Sequence, residues 1–388
     1  MSRCCSGSST RISATAARDL VIVDRRSLLA GAGMALAAGL MPRQAAALAA
    51  SEALVLAPAM RADGSYAVMV FSERGALIRE IGLPARAHDL AVHPETSRAV
   101  VFARRPGTFA VAFDILGRVG PQVFVARADR HFFGHGAYSA DGKLLFATEN
   151  DFSAGEGVIG IYDAADAYKR IGEFPTRGVG THEAILLPDG KTLAIANGGI
   201  ETHPDYGREM LNIPTMDPSL AFVDLDGHLL AQYRLLREVH QLSIRHMAVG
   251  SDGKIWFGTQ WEGDPLETPS LVGRASLEDG LELVATPERE LNDMRRYVGA
   301  MAASRDGTLI SASAPRGGYV VHFSAETGRY VGRTTIADSS GITGYGEKSI
   351  LASNGEGLIA ETEADGVSRD MVSERGVAFD NHLRTVAT

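Results

Sequence analysis

Cysteine is almost absent from this chain of 388 residues. Cys4 and Cys5 are the only two, and both lie close to the amino terminus. If the first 47 residues are removed after export, as expected below, the remaining chain contains no thiol. Disulfide bonds, thiol nucleophiles and cysteine-ligated metal sites are then excluded from the folded protein.

Positive charge is also scarce. The chain has 38 basic and 47 acidic residues, which gives a formal net charge of −9. Residues 1–47 contain six arginines and two aspartates, a net charge of +4, so the remainder carries about −13. An acidic domain binds nucleic acid and anionic membrane surfaces poorly. We therefore expect no nucleic-acid partner.

Long apolar runs are missing, apart from one near the amino terminus. That run extends only from residue 28 to residue 40, whereas a membrane-spanning helix needs about 20 residues. Arg25 and Arg26 precede it, and small residues at 45–47 or 47–49 offer cleavage sites. This pattern is typical of a twin-arginine signal peptide over residues 1–47. It predicts a periplasmic protein without a membrane span in the mature chain, and the alternative is an uncleaved anchor.

The chain is rich in short apolar runs separated by Asp-Gly turns. Runs such as residues 143–148 and 254–259 are apolar nearly throughout, as in strands that are buried on both faces. The turn acids are Asp63, Asp141, Asp189, Asp252 and Asp306, with weaker copies at Pro94-Glu95 and Asn354-Gly355. Their spacing of about 30–60 residues indicates an all-β fold, a seven-bladed β-propeller over residues 51–388 as a single domain. The alternative is two packed β-domains.

A propeller must close its ring so that no edge strand is left unpaired. We expect the first strand, residues 53–57, to meet residues 377–386 in one blade. We also expect each Asp-Gly turn to join the first and second strands of a blade. Segments that enter the first strand and loops that follow the second strand then share the opposite face, where most of the histidines fall.

Aligning the repeats on the turn acid places equivalent residues at the mouth of the central channel. Six positions before the turn stand Asp89, His135, Glu183 and His246, and seven positions before it stand His88, His182 and Arg245. Two imidazoles and two carboxylates suit a metal ion, iron or another divalent metal, or acid–base chemistry. We predict a metal site formed by Asp89, His135, Glu183 and His246. The alternative is structural polar packing.

Other polar residues on the same face are candidate ligand contacts. His131 is spaced from His135 as in a chelating pair, Glu149 and Asn150 lie in an acidic loop that could hold Ca²⁺, and residues 197–209 form a long loop that could act as a lid. Arginine side chains could meet an anionic ligand. The remaining candidates are Asn197, His203, Gln260 and Arg316.

Several motifs resemble a known bacterial family of exported proteins of unknown function. They include R-H-F-F-G-H-G at 130–136, A-N-G-G-I at 196–200 and H-Q-L-S-I-R-H at 240–246. The resemblance implies a seven-bladed propeller of the quinoprotein-amine-dehydrogenase-like or WD40-like type. It also implies an association with imelysin-type iron-uptake loci, and it supplies no catalytic residues.

Three functions remain open at this point. The first is a periplasmic binding protein, accessory to iron or metal acquisition, that holds a metal-containing ligand or a partner iron-uptake protein at the histidine-rich mouth. The second is a metal-dependent lactonase or hydrolase that uses the same mouth. The third is a purely structural interaction platform, which predicts no metal.

Overall fold

The computed structural model describes residues 42–387, and in it the chain folds into a seven-bladed β-propeller. Six of the sheets have four strands, and the seventh has five strand segments drawn from both ends of the chain. Strand β1 pairs with two carboxyl-terminal segments, which together supply the innermost strand of the first blade. The predicted fold and its ring closure are confirmed.

The strands follow one another in seven groups. The first blade comprises β1 (Ala53–Arg61), β2 (Tyr66–Ser72), β3 (Leu77–Leu83), β28 (Val377–Phe379) and β29 (Arg384–Ala387). The second comprises β4 (Ala87–Val92), β5 (Arg98–Ala103), β6 (Phe109–Asp114) and β7 (Gln122–Val125). The third comprises β8 (Arg130–Tyr138), β9 (Leu144–Asp151), β10 (Glu156–Asp163) and β11 (Lys169–Pro175). The fourth comprises β12 (Thr181–Leu186), β13 (Thr192–Asn197), β14 (Ser219–Asp224) and β15 (Leu229–Arg234).

The last three blades have the same four-stranded organisation. The fifth comprises β16 (Leu242–Val249), β17 (Ile255–Trp261), β18 (Val272–Ser276) and β19 (Gly280–Leu283). The sixth comprises β20 (Met301–Ala303), β21 (Leu309–Ala314), β22 (Tyr319–Ser324) and β23 (Tyr330–Thr335). The seventh comprises β24 (Ser339–Gly344), β25 (Ile350–Asn354), β26 (Leu358–Thr362) and β27 (Ser368–Ser373).

Apolar packing between neighbouring blades holds the ring together. The described residues form seven buried hydrophobic clusters, and each cluster joins side chains of two adjacent blades. Second strands such as β13 and β21 are buried along their whole length. In outer strands such as β11, exposed residues alternate with partly buried ones. The continuous apolar runs of the sequence therefore mark strands covered on both faces.

Most of the Asp-Gly turns adopt one local structure. The Asp141 carboxylate accepts hydrogen bonds from the Lys143 backbone N–H and the Ser139 hydroxyl, and Gly142 has a φ of +67°. Glycine reaches this left-handed conformation without steric cost, and the aspartate holds the turn. The turns at Asp189, Asp252 and Asp306 are equivalent, and each joins the first and second strands of its blade.

The assignment of two other turns to this position is wrong. The Asp63 turn lies between β1 and β2, which are the second and third strands of the first blade, because the carboxyl terminus supplies the innermost strand. Asn354-Gly355 likewise separates the second and third strands of the seventh blade. The chemistry of an Asx turn is local, so the same residues form it on either face of the ring.

Helical structure in the described residues is short. Helix α1 (Pro42–Ala49) precedes the ring, and its Ala47 and Leu48 pack against the cluster between the first and second blades. Helix α2 (Glu288–Asp293) precedes the sixth blade, and 3₁₀ turns cover Pro204–Tyr206, Ile213–Thr215 and Arg237–Val239. No helix within residues 42–387 has the length and apolar content needed to cross a bilayer. The twin-arginine motif and most of the predicted signal peptide lie outside the described residues.

Candidate functional site

The central channel is lined by the innermost strands of all seven blades. It contains a cavity of about 400 Å³ whose wall includes β4, β8, β12, β16, β20, β24 and β29. Glu183 and Arg384 belong to this wall, together with apolar residues such as Met247 and Met301. The innermost strands begin at one face of the ring, called here the upper face, and the histidines lie at that end of the channel.

Irregular pairing near the start of the innermost strands brings the histidines together. The pairing register with the second strand shifts between Ala87 and Leu90 in β4, and at corresponding places in β8, β12, β16 and β24. In the first blade the innermost strand is interrupted between β28 and β29. A bulge inserts an extra residue and re-aims side chains. Residues from both aligned positions, six and seven before the turn, therefore contribute to the channel mouth.

Five imidazoles meet at this point. Rings from four different blades and from the carboxyl-terminal segment have centres between 4.6 and 5.9 Å apart in eight of their pairs. Four of the five side chains belong to buried residues, and His182 is half-buried. We call these residues the histidine cluster: His88, His135, His182, His246 and His382.

Each ring of the histidine cluster has a buried nitrogen without a hydrogen-bond partner among the described residues. These atoms are His88 Nδ1, His135 Nε2, His182 Nε2, His246 Nδ1 and His382 Nε2. An unsatisfied buried polar atom costs on the order of 1–3 kcal/mol. Five such atoms in one place therefore call for a ligand that accepts their lone pairs or supplies hydrogen bonds.

His135 is held by two carboxylates. Its Nδ1 donates to Asp89 Oδ2 over 2.9 Å and lies 3.6 Å from Glu183 Oε1. The Arg384 guanidinium also contacts Asp89 and lies 3.8 Å from Glu183, while Glu183 Oε2 accepts the Met247 backbone N–H over 2.6 Å. A carboxylate on one imidazole nitrogen orients the other nitrogen, here Nε2, as a metal ligand.

Three residues of the predicted metal site, Asp89, His135 and Glu183, therefore lie next to one another. Asp89, His135 and Glu183 offer ligand atoms within 4.8 Å of one another. However, Arg384 already supplies a positive charge between the two carboxylates. In this arrangement Asp89 and Glu183 orient the His135 ring, and the atoms left free to bind a metal are imidazole nitrogens.

A third carboxylate, Asp380, faces His88. Asp380 Oδ1 lies 3.7 Å from His88 Nδ1, which is beyond hydrogen-bond distance. Arg86 pairs with Asp380, and Arg104 Nη1 lies 3.0 Å from it. Burial raises the pKa of Asp380, but His88 and the two guanidiniums outweigh it and keep this carboxyl ionised. Unlike Asp89, Asp380 lies near an imidazole without forming a hydrogen bond to it.

Burial sets the protonation of the cluster. It lowers the pKa of His88 to about 4, and it lowers the pKa values of His182, His246 and His382 well below the usual 6.5, with a further contribution from neighbouring rings. Burial also acts on His135, but Asp89 and Glu183 outweigh it and raise its pKa to about 9. Four neutral imidazoles with available lone pairs, the form that binds metals, therefore surround one protonated ring.

Arginines surround the cluster at the upper face. Arg245 lies next to His246 in the chain, and its Nη1 is 3.5 Å from His182 Nδ1. Burial lowers the pKa of Arg105 to about 9, with further contributions from Arg245, Arg208 and Arg104. We call Arg104, Arg105, Arg208 and Arg245 the arginine cluster. The channel mouth is therefore locally cationic, although the chain as a whole is acidic.

Three other predicted ligand residues are engaged in structural contacts. His131 does not join His135, because its Nδ1 contacts the Phe132 carbonyl and its Nε2 contacts Asn150. Asn150 also donates to the Thr202 carbonyl. Glu149 is buried between the Tyr162 hydroxyl and Arg170. The acidic loop is not a convergent Ca²⁺ site, since Asp151 pairs with Arg130 instead.

The other predicted residues also lie outside the histidine cluster. Asn197 is buried and bonds to Thr176, Thr181 and Ser219. His203 accepts the Asp205 backbone N–H within the long loop, which reaches the third blade through Asn150. Gln260 contacts the Val298 carbonyl, and the Arg316 guanidinium lies over the Tyr297 ring.

Sequence reasoning missed His382, Asp380 and Arg384. No Asp-Gly turn follows the innermost strand of the first blade, so an alignment on turn acids could not reach these residues. A signal was nevertheless present, because residues 377–386 were expected to close the ring. His382 lies between β28 and β29, and its ring centre is 4.8 Å from those of His135 and His246.

Comparison with known proteins identifies the fold and a family. The sequence matches the family described as "Protein of unknown function (DUF1513)" over residues 81–386, and no similarity to a curated protein was found. Hydrazine synthase of Kuenenia stuttgartiensis has 15% sequence identity and a TM-score of 0.58, covering 82% of this chain and 94% of that one. The periplasmic gluconolactonase of Pseudomonas aeruginosa has 14% identity and a TM-score of 0.60, with coverage of 86% and 99%.

A third similar structure is a putative 6-phosphogluconolactonase from Bacteroides fragilis. It has 15% identity and a TM-score of 0.56, and it covers 87% of this chain and 98% of that one. At these identities the similarity concerns the fold alone.

Proposed function

Since the chain belongs to the DUF1513 family of proteins of unknown function, we propose from the geometry of its channel mouth that it binds a transition-metal ion through the histidine cluster. The observation that carries this proposal is the set of five buried imidazole nitrogens without hydrogen-bond partners among the described residues. Imidazole is a ligand suited to zinc, copper, iron and nickel.

The spacing of the rings suits one ion. A metal about 2.1 Å from an imidazole nitrogen lies about 3.2 Å from that ring's centre, so rings at tetrahedral angles have centres about 5 Å apart. The observed separations of 4.6–5.9 Å bracket this value. Two triads, His88/His135/His382 and His135/His182/His246, have ligand atoms within 4.8 Å of one another, and they share His135. Ion binding would replace the proton on His135.

We propose that the ion is iron, and that the protein is a periplasmic accessory of an iron-uptake system. The twin-arginine start of the sequence and its resemblance to proteins of imelysin-type loci support this view. A metal-containing ligand or a partner protein would then dock on the upper face.

Metal content tests the proposal directly. Protein recovered from the periplasm is analysed by mass spectrometry, and metal-free protein is titrated with Fe²⁺, Zn²⁺ and Cu²⁺. We expect about one ion per chain, lost in the double variant His135→Ala/His246→Ala. The control His228→Ala removes an exposed imidazole that lies near Asp224 and Asp226, and it should leave the stoichiometry unchanged. A metal-free wild type that also fails to take up any of these ions would refute the proposal and favour a structural platform.

A second candidate is lactone hydrolysis at the same mouth. The buried His135–Asp89 pair favours it, since a protonated imidazole held by a carboxylate can serve as a general acid. Two structures with the same fold are described as lactonases. Turnover of glucono-1,5-lactone, followed by proton release, should be abolished in His135→Gln. If wild-type protein hydrolyses glucono-1,5-lactone no faster than the spontaneous reaction, both with and without added metal, lactonase activity on this substrate is excluded.

A further inference from the structure

The arginine cluster is short of negative charge. Arg105, in the loop between β5 and β6, makes no hydrogen bond or ion pair with any residue from 42 to 387, and the groups that act on its charge are all cations. Arginine stays protonated in proteins, so its charge must be balanced rather than lost. Like charges brought together and partly desolvated in this way destabilise the folded state unless an anion is bound.

Arg245 shows the same deficit at closer range to the histidines. Its Nε is buried without a partner in the described part of the chain, and its nearest polar contact is an imidazole, His182 Nδ1 at 3.5 Å. Arg104 Nε is also unpartnered, although its Nη1 pairs with Asp380. A guanidinium presents its donors as a planar fork that matches a carboxylate or phosphate group.

Guanidinium groups outnumber carboxylates around the channel mouth. Among residues 42–387, these contacts place four carboxylates and six guanidiniums around the mouth. The carboxylates are Asp89, Glu183, Asp380 and Glu262, and the guanidiniums are Arg86, Arg104, Arg105, Arg208, Arg245 and Arg384. The mouth is therefore locally positive in a chain whose residues beyond the first 47 carry about −13.

We propose that the arginine cluster binds a small anion bearing carboxylate or phosphate groups, directly above the histidine cluster. Arg105 and Arg245 hold the anion from opposite blades, and exposed Arg208, from the long loop of the fourth blade, closes over it. Because Arg245 contacts His182, the anion lies within reach of an ion held by the imidazoles. The cargo of the site is then a metal ion together with an anionic chelator. This last step rests on the proposed function, whereas anion binding itself does not.

Calorimetric titration of the full chain, freed of metal and at low ionic strength, tests anion binding by itself. Citrate and inorganic phosphate are the two probes, and their relative affinities distinguish a carboxylate site from a phosphate site. We expect saturable binding of at least one probe, weakened tenfold or more in Arg105→Gln and in Arg245→Gln. Arg127→Gln is the matched control, because Arg127 lies on the same face but already pairs with Asp129.

Two results would overturn the proposal: no saturable binding of either probe to the wild type, or affinities in Arg105→Gln and Arg245→Gln equal to that of Arg127→Gln. If Arg105→Gln fails to fold, as judged by circular dichroism, Arg105→Lys replaces it. Lysine keeps the charge but loses the fork, so an intermediate loss of affinity is expected, and no loss would count against the site.

A second titration tests whether the two ligands meet. Metal affinity is measured with and without the bound anion, and coupling between the sites must appear equally in both directions. We expect each ligand to tighten the other several-fold. Anion binding without any metal binding would refute the proposed function and leave the arginine site intact. A metal affinity that is the same with and without the bound anion would contradict the proposal that the metal ion and the anion bind together.

Discussion

His135 donates from Nδ1 to Asp89 Oδ2 over 2.9 Å, and both side chains are almost completely buried. This bond joins the second and third blades at the channel mouth. It also fixes which nitrogen of His135 faces the other imidazoles. The pair therefore links the packing of the ring to the geometry of the candidate metal site.

Replacing Asp89 by asparagine should weaken metal binding without removing any imidazole. The amide cannot stabilise His135 as a charged carboxylate does, so we expect metal affinity to fall about 10–100-fold. Competition with a chromogenic chelator measures the change. Asp141→Asn, in an exposed turn of the third blade, should bind metal like the wild type. Unchanged affinity in Asp89→Asn would mean that His135 is not a ligand.

Arg384 should matter for stability more than its partly exposed position suggests. Arg384→Gln leaves Asp89 and Glu183 without their guanidinium, and an uncompensated buried charge costs about 3–5 kcal/mol of unfolding free energy. Urea denaturation measures the loss.

The matched control is Arg369→Gln, because Arg369 forms an exposed pair with Glu361 and such pairs contribute at most about 1 kcal/mol. Adding Asp89→Asn to Arg384→Gln should recover part of the loss, since the two residues interact directly. Equal effects of the two arginine replacements would contradict this view of the mouth.

His322 should make the protein sensitive to acid from a place remote from the channel mouth. Its Nε2 bonds to Thr334 Oγ1, which donates its own proton to the Glu363 carbonyl, so Nε2 is the donor and Nδ1 accepts from Ser311. Burial lowers the pKa of His322 to about 4, although Asp365 opposes the shift. The folded protein therefore accommodates the His322 ring in its neutral form, with the proton on Nε2.

The direction of the pH effect follows from the difference between the pKa of His322 in the unfolded chain and its pKa in the folded protein. The unfolded chain takes up a proton near pH 6.5 and the folded chain only near pH 4, so the contribution of His322 to stability is present above pH 6.5 and lost as the pH falls to about 4. The loss is on the order of 3 kcal/mol. His322→Gln should be less stable at pH 7 but should lose less stability between pH 7 and pH 4, as measured by urea denaturation. Parallel pH profiles of the two proteins would show that His322 does not titrate in this way.

Export should depend on the paired arginines of the amino terminus. Arg25→Lys together with Arg26→Lys keeps the charge but removes the twin-arginine signal. We expect the precursor to remain in the cytoplasm, as detected by fractionation and immunoblotting, whereas wild type yields a shorter periplasmic form. The replacement of Arg18 by lysine, outside the motif, should not affect export. Periplasmic accumulation of the double variant would argue for another route.

Much of the candidate site was accessible from sequence because the blades repeat. Asp89, His135, Glu183 and His246 occupy equivalent positions, and an alignment on turn acids places them at one mouth. The contribution of His88 and His182 depends on bulges that bring adjacent positions together, which no periodicity encodes. His382 comes from the end of the chain, where the repeat loses its marker.

The sequence by itself determined the seven-bladed fold, the ring closure and the face on which histidines gather, because turn chemistry and strand burial are local properties that most of the repeats share. Only the tertiary structure decided which donors are free. The sequence predicts Asp89 and Glu183 as metal ligands, yet both carboxylates lie beside His135 and beside Arg384, which is some 200 to 300 positions further along the chain. Charge pairing across a closed ring depends on distances in space, and the chain order gives no sign of them.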